Sequence, residues 1–134
     1  ITSITQAYTH LRLDIVNATQ GSGGDSLVIS AKSGATVLDG LTSGKRISSN
    51  YYVVDLTFDS GGTTTGSSIT ASIDNYSSSD YSKPFFGYGI QTPNDTMILG
   101  GAFYGVSSGL TELIISAKSG YSFTGGTAYL YGVN

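Results

Sequence analysis

His10 is the only histidine in the chain, so any mechanism that needs an imidazole base depends on it. It alternates with Arg12 and Asp14 in a segment whose intervening residues are apolar, and this alternation places the three side chains on one face of a strand. A cation beside the imidazole disfavours the proton uptake that a general base performs. The pattern therefore favours a solvated or interface face over a Ser-His-Asp triad, and we assign His10 and Arg12 to an interface.

The acidic residues form no motif for catalysis or metal binding. Glycoside hydrolysis needs a positioned pair of carboxylates, and the one glutamate, Glu112, has no local acidic partner. Zinc needs three or four histidine, cysteine or carboxylate ligands, whereas this chain has one histidine and no cysteine. Calcium stays open because several aspartates lie in or near predicted turns, although none has the spacing of a dedicated calcium loop: Asp25, Asp39, Asp55, Asp59, Asp74 and Asp95. We predict a protein that is not an enzyme and has no metal or cofactor.

Ten tyrosines are the other residues that could bind a ligand. An aromatic face packs on the C–H groups of a sugar while the hydroxyl bonds sugar oxygens. The candidates for such a site are Tyr51, Tyr76, Tyr81 and Tyr88. Tyrosine is also common in half-buried strands and at protein interfaces, and we predict an interface role for Tyr129 and Tyr131 in the last strand. The two interpretations stay open for the first four residues.

Composition limits the classes of partner. Only 11% of the 134 residues are charged and the net charge is −3, which disfavours binding to nucleic acid or to an anionic membrane surface. No apolar run approaches the roughly 20 residues that span a bilayer. The surface must then consist mostly of serine, threonine, glycine and tyrosine, which favours a protein that contacts other proteins in a large particle. An ordinary extracellular β-domain is the alternative.

Alternation with a period of two predicts a chain made of strands. The clearest predicted strands cover residues 8–18, 27–31, 50–58, 69–73, 83–90, 96–104 and 113–116, together with a final strand near 127–131. We expect a bulge or kink at Gly100-Gly101, a strand start or sheet edge at Pro84, and crossings between two sheets after Asp39 and after Asp59. No linker divides the chain, so we predict one domain, residues 1–134, folded as an antiparallel β-sandwich of about eight strands with a jelly-roll-like arrangement.

One short segment occurs twice. The sequence Ile-Ser-Ala-Lys-Ser-Gly starts at Ile29 and again at Ile115. In each copy a strand precedes the Ser-Gly turn, so the copies are predicted either to pair or to occupy equivalent places in opposing sheets. Chance repetition in a chain rich in serine and glycine is the alternative.

Several short motifs occur in an order that resembles structural β-domains of tailed bacteriophages. They are Tyr8-x-His10-Leu11-x-Leu13, Ile73-Asp74-Asn75-Tyr76, Lys83, and the ending Phe123-x-x-Gly126-x-Ala128-x-Leu130-Tyr131-Gly132. The family often ends in Leu-Tyr-Gly-Ile, whereas here the last apolar residue is Val133. The resemblance implies a virion protein with a jelly-roll-like domain that assembles as a trimer, contacts other virion proteins and lies on the capsid exterior or in the tail. It implies no catalytic residue, and binding to a host surface glycan is the alternative role.

Overall fold

The computed structural model describes residues 1–20, 26–38, 54–57, 66–79, 82–91, 95–103, 108–117 and 122–134. Within these ranges the chain forms nine strands and no helix, so none of the described residues belongs to a helix able to cross a membrane. The strands are β1 (His10–Gln20), β2 (Ser26–Ser33), β3 (Thr36–Leu38), β4 (Val54–Thr57), β5 (Ser67–Asp74), β6 (Lys83–Gln91), β7 (Asp95–Phe103), β8 (Glu112–Ala117) and β9 (Phe123–Val133). The predicted all-β class is confirmed.

Two antiparallel sheets form the sandwich that the sequence predicts. The larger has the strand order β7-β6-β5-β1-β9. In the smaller, β2 pairs with β8 along one edge and with β4 and β3 along the other. The chain changes sheet between β4 and β5, which confirms the crossing predicted after Asp59. The crossing predicted after Asp39 is wrong, because β3 and β4 both pair with β2.

The core lies between the sheets and follows from the alternation of apolar residues. In β5, Ile69, Ala71 and Ile73 are buried while the residues between them are partly exposed. They belong to one cluster with Ile29 of β2 and Leu113 of β8. Burying one such aliphatic side chain contributes roughly 1.5–3 kcal/mol, so the two sheets hold each other through this shared layer.

The inner side of β6 carries one ring of an aromatic pair shared with β7, and a buried lysine. The rings of Phe85 and Phe103 meet edge to face, with centroids 6.3 Å apart. Lys83 is fully buried, and its Nζ donates a hydrogen bond to the carbonyl of Ser78 at 2.7 Å. Pro84 follows directly at the start of the strand, where the sequence places it.

The structure corrects two expectations about the larger sheet. Gly100 and Gly101 pair with Phe86 and Phe85 in unbroken register, so of the predicted bulge or kink the bulge is wrong. The register shifts instead in β1, around Asn17, which has φ 52°. The alternation of Ala128 and Leu130 predicts that one side of the last strand faces the core, yet in β9 only Leu130 is partly buried.

Tyr76 has a structural role, and its assignment as a sugar-binding tyrosine is wrong. The ring is fully buried in the core. Its hydroxyl donates a hydrogen bond to the carbonyl of Thr5 at 2.6 Å and accepts one from the backbone N–H of Tyr8 at 3.1 Å. Its own carbonyl accepts the backbone N–H of Leu110 at 2.8 Å. Tyr76 therefore ties the segment before β1 and the segment before β8 to the end of β5.

Candidate functional site

The side of the five-stranded sheet that faces away from β2 and β8 is called the outer face here. Three large side chains of β6 on this face are more than half exposed: Phe86 (61%), Tyr88 (57%) and Ile90 (54%). Gly87 and Gly89 lie between them and are buried. A Cβ on Gly87 would lie 2.6 Å from the Cβ of Ala71 and 2.6 Å from the carbonyl oxygen of Thr70. Close packing of β5 thus restricts position 87 to glycine, and the large apolar groups of residues 86–90 point outward.

A charged pair lies on the same face in β1. Arg12 Nε donates a hydrogen bond to Asp14 Oδ1 at 3.0 Å. The pKa of Arg12 is raised, first by this hydrogen bond, then by the negative charge of Asp14, and further by Tyr88 and Tyr131. The Arg12 side chain is 55% exposed. A permanently charged planar group therefore stands between aromatic side chains of β6 and β9.

His10 lies on the same face at the start of β1. Its Nδ1 lies 3.1 Å from Asp74 Oδ1 in β5. The geometry of this contact does not meet that of a hydrogen bond, so the two groups attract each other chiefly when the imidazole is protonated. The partner of His10 is an exposed carboxylate of a neighbouring strand, with no hydroxyl nucleophile in the contact.

β9 completes the outer face at its edge. Tyr129 and Tyr131 are each 47% exposed, and their rings stack at a centroid distance of 6.3 Å and an interplanar angle of 20°. Val133 is also exposed on this strand. The tyrosines are neighbours because residues two apart in a strand point to the same side.

The strand register aligns these groups in rows across four strands. One row contains Phe86, Ser72, Arg12 and Tyr131. The next row contains Tyr88, Thr70, Asp14 and Tyr129. Each row therefore has an aromatic residue at both ends, with one member of the charged pair and one small hydroxyl residue between them.

The structure brings most of the predicted site residues together. His10, Arg12, Tyr88, Tyr129 and Tyr131 share the outer face, although they were assigned to different roles from the sequence. Tyr51 and Tyr81 lie outside the described residues. Sequence reasoning missed Phe86, Ile90 and Val133 as members of this surface. The alternation Phe-Gly-Tyr-Gly-Ile carried the signal for the first two, since glycine on one side leaves the large residues on the other.

Two other features bear on whether the protein could hold a metal ion or a small ligand. Among the residues that the structure describes, no group of three histidine, cysteine, aspartate or glutamate side chains could hold a metal ion. An open cleft of about 430 Å³ lies between the sheets beside β9, and its lining includes Ile15, Ile115 and Phe123. The cleft lies between the first half of β9 and Ile115 of β8.

Comparisons of the chain with protein-family models, with curated proteins and with solved structures find no match.

Proposed function

We propose that this protein is a non-enzymatic structural component of a bacteriophage virion that self-associates and attaches to the particle, as a capsid decoration protein or a tail-fibre domain. The observation that carries the proposal is the outer face, where exposed aromatic and aliphatic side chains surround the pair formed by Arg12 and Asp14. The virion context comes from the resemblance of the sequence motifs, which also implies a trimer.

The outer face has the composition of a protein-binding surface. Apolar side chains gathered on one exposed face mark interaction sites, and tyrosine and arginine are enriched among the residues that dominate binding energy. Around Tyr88 in β6 the large side chains face water and the glycines face the core. This reverses the usual orientation of apolar side chains in a strand. Covering Phe86, Tyr88 and Ile90 with a partner removes their apolar surface from water, which favours association.

Attachment is tested with particles that lack the protein. Purified wild-type protein is expected to bind them in a co-sedimentation assay, whereas a Phe86→Ser/Tyr88→Ser variant binds at least tenfold more weakly. Phe123→Ser is the matched control, since Phe123 is an exposed aromatic residue that lines the cleft instead of the outer face. Equal binding by all three proteins, or no binding by the wild type, would count against the proposal.

Glycan binding is the second candidate, and the placement of Tyr88 and Tyr131 on either side of Arg12 favours it. Aromatic faces can pack on the C–H groups of a sugar, and the charged pair can form hydrogen bonds with its oxygens. A glycan array probed with the wild type and with Tyr88→Ala and Tyr131→Ala variants tests this role. Specific signals that both substitutions abolish would support it, and a blank array would exclude it for the sugars presented.

A further inference from the structure

β9 presents an edge that lacks the usual protection against pairing. It runs for 11 residues at the end of the sheet order and pairs with β1 on one side. Within the described ranges no strand pairs with its other side. Natural proteins block such edges with charged residues, proline or very short strands. The sequence of β9 has neither a charged residue nor a proline.

The regular part of this edge is defined by the register with β1. Pairing is continuous from Val133, opposite His10, to Thr127, opposite Val16, and then shifts. Gly126 adopts φ 117° at this shift, so the strand departs from regular geometry there. The regular edge is therefore 127–133, and its midpoint is Leu130.

We infer that a second copy of this chain pairs with this edge, β9 against β9, in antiparallel orientation about a two-fold axis at Leu130. The two five-stranded sheets then form one continuous sheet. In this register Tyr129 of each copy lies opposite Tyr131 of the other, and Thr127 lies opposite Val133. The inference depends on the proposed self-association and specifies the surface that performs it.

A second copy fits this edge because the edge is complementary to itself. Aromatic residues directly opposite each other on one face stabilise a strand pair, and the two-fold register creates two such tyrosine pairs. No like charges meet across the seam, since β9 is uncharged and the nearest charged groups, Arg12 and Asp14, already form an ion pair. The two-fold axis also aligns the row containing Arg12 with the row containing Asp14 of the other copy.

The pairing determines how the outer faces are used. A two-fold axis perpendicular to the sheet keeps both outer faces on the same side. The tyrosines of β9 are then part of the seam, and the β6 residues Phe86, Tyr88 and Ile90 of both copies stay open to the particle. A two-fold contact of this kind closes with two copies, so it gives a dimer where the sequence resemblance implies a trimer.

Cysteine pairs test the register directly, because the chain has no native cysteine. Thr127→Cys and Val133→Cys proteins carrying tags of different mass are mixed and mildly oxidised. We expect a disulfide-linked heterodimer from the mixture. Neither variant should cross-link with itself, since the two copies of either residue would be about 20 Å apart along the seam at roughly 3.3 Å per residue.

Mass measurement by sedimentation completes the test. The wild type is expected to be a dimer, and Tyr129→Lys/Tyr131→Lys should raise its dissociation constant at least tenfold. The matched variant Phe86→Lys/Tyr88→Lys should stay dimeric while losing particle binding. A stable monomer, a trimer, or disulfide cross-linking of either cysteine variant with itself would overturn the β9 contact. Loss of the dimer is therefore distinguishable from failure of the proposed function, which would show as an intact dimer that does not bind particles.

Discussion

Ile29 of β2 and Ile115 of β8 lie directly opposite each other in antiparallel register. They are the first residues of the two copies of Ile-Ser-Ala-Lys-Ser-Gly. On either side of them, Leu27 pairs with Ala117 and Ala31 pairs with Leu113. Leu27 in the first strand corresponds to Leu113 in the second, and Ala31 corresponds to Ala117. The repeated strands are therefore related by a local two-fold axis through this pair, and the prediction that the copies pair with each other is confirmed.

Ile29→Ala should destabilise the fold more than the same change at its partner. Ile29 is fully buried, whereas Ile115 is partly buried beside the open cleft. We expect a loss of about 2–5 kcal/mol for Ile29→Ala, the range for aliphatic truncation in a core, and a smaller loss for Ile115→Ala. Urea unfolding followed by circular dichroism measures both. Equal losses would show that the two sides of the axis are equally packed.

Tyr76→Phe isolates the role of one buried hydroxyl. The substitution keeps the ring in the core but removes the acceptor for the N–H of Tyr8 and the donor to the carbonyl of Thr5. We expect a loss of about 1–2 kcal/mol in the free energy of unfolding and faster hydrogen exchange at the Tyr8 amide. Tyr129→Phe is the control, because that ring is exposed. Unchanged exchange at Tyr8 would contradict this role.

Gly87→Ala tests why β6 directs its large residues outward. The new methyl group would meet the backbone and Cβ of β5 at 2.6 Å, so the strands must separate. A loss of about 1–3 kcal/mol is expected, as for other overpacked sites. Gly100→Ala is the matched control in the neighbouring strand, where a Cβ would have no heavy atom within 4 Å. Similar thermal midpoints for the two variants would be the contrary result.

The contribution of Arg12 to stability should not depend on pH in the neutral and mildly basic range. Its pKa is raised in the folded protein, chiefly by the hydrogen bond to Asp14. Stabilisation from a raised pKa is complete below the ordinary pKa of the group and is lost only as the pH rises through the folded value. The difference in thermal midpoint between wild type and Arg12→Gln should therefore be the same at pH 7 and pH 9. A difference in thermal midpoint that changes between pH 7 and pH 9 would contradict the raised pKa of Arg12.

Local patterns predicted many elements of this fold. The alternation around Ile69, Ala71 and Ile73 identified β5 and its buried face, and the alternation of Leu11, Leu13 and Ile15 identified that of β1. Such patterns are readable because successive side chains of a strand point to opposite sides. Much of the predicted strand at 50–58 lies outside the described residues, which include Val54–Thr57 of it as β4.

Residue types in the sequence determined that Phe86, Tyr88 and Ile90 share one side of a strand and that His10, Arg12 and Asp14 share one side of another. The sequence also determined that β9 carries no charge. That these sides form one exposed face and that Tyr76 lies in the core depends on how the strands are arranged in space. The physical reason is that strand order and sheet coverage depend on contacts between residues far apart in the chain, which no local period encodes.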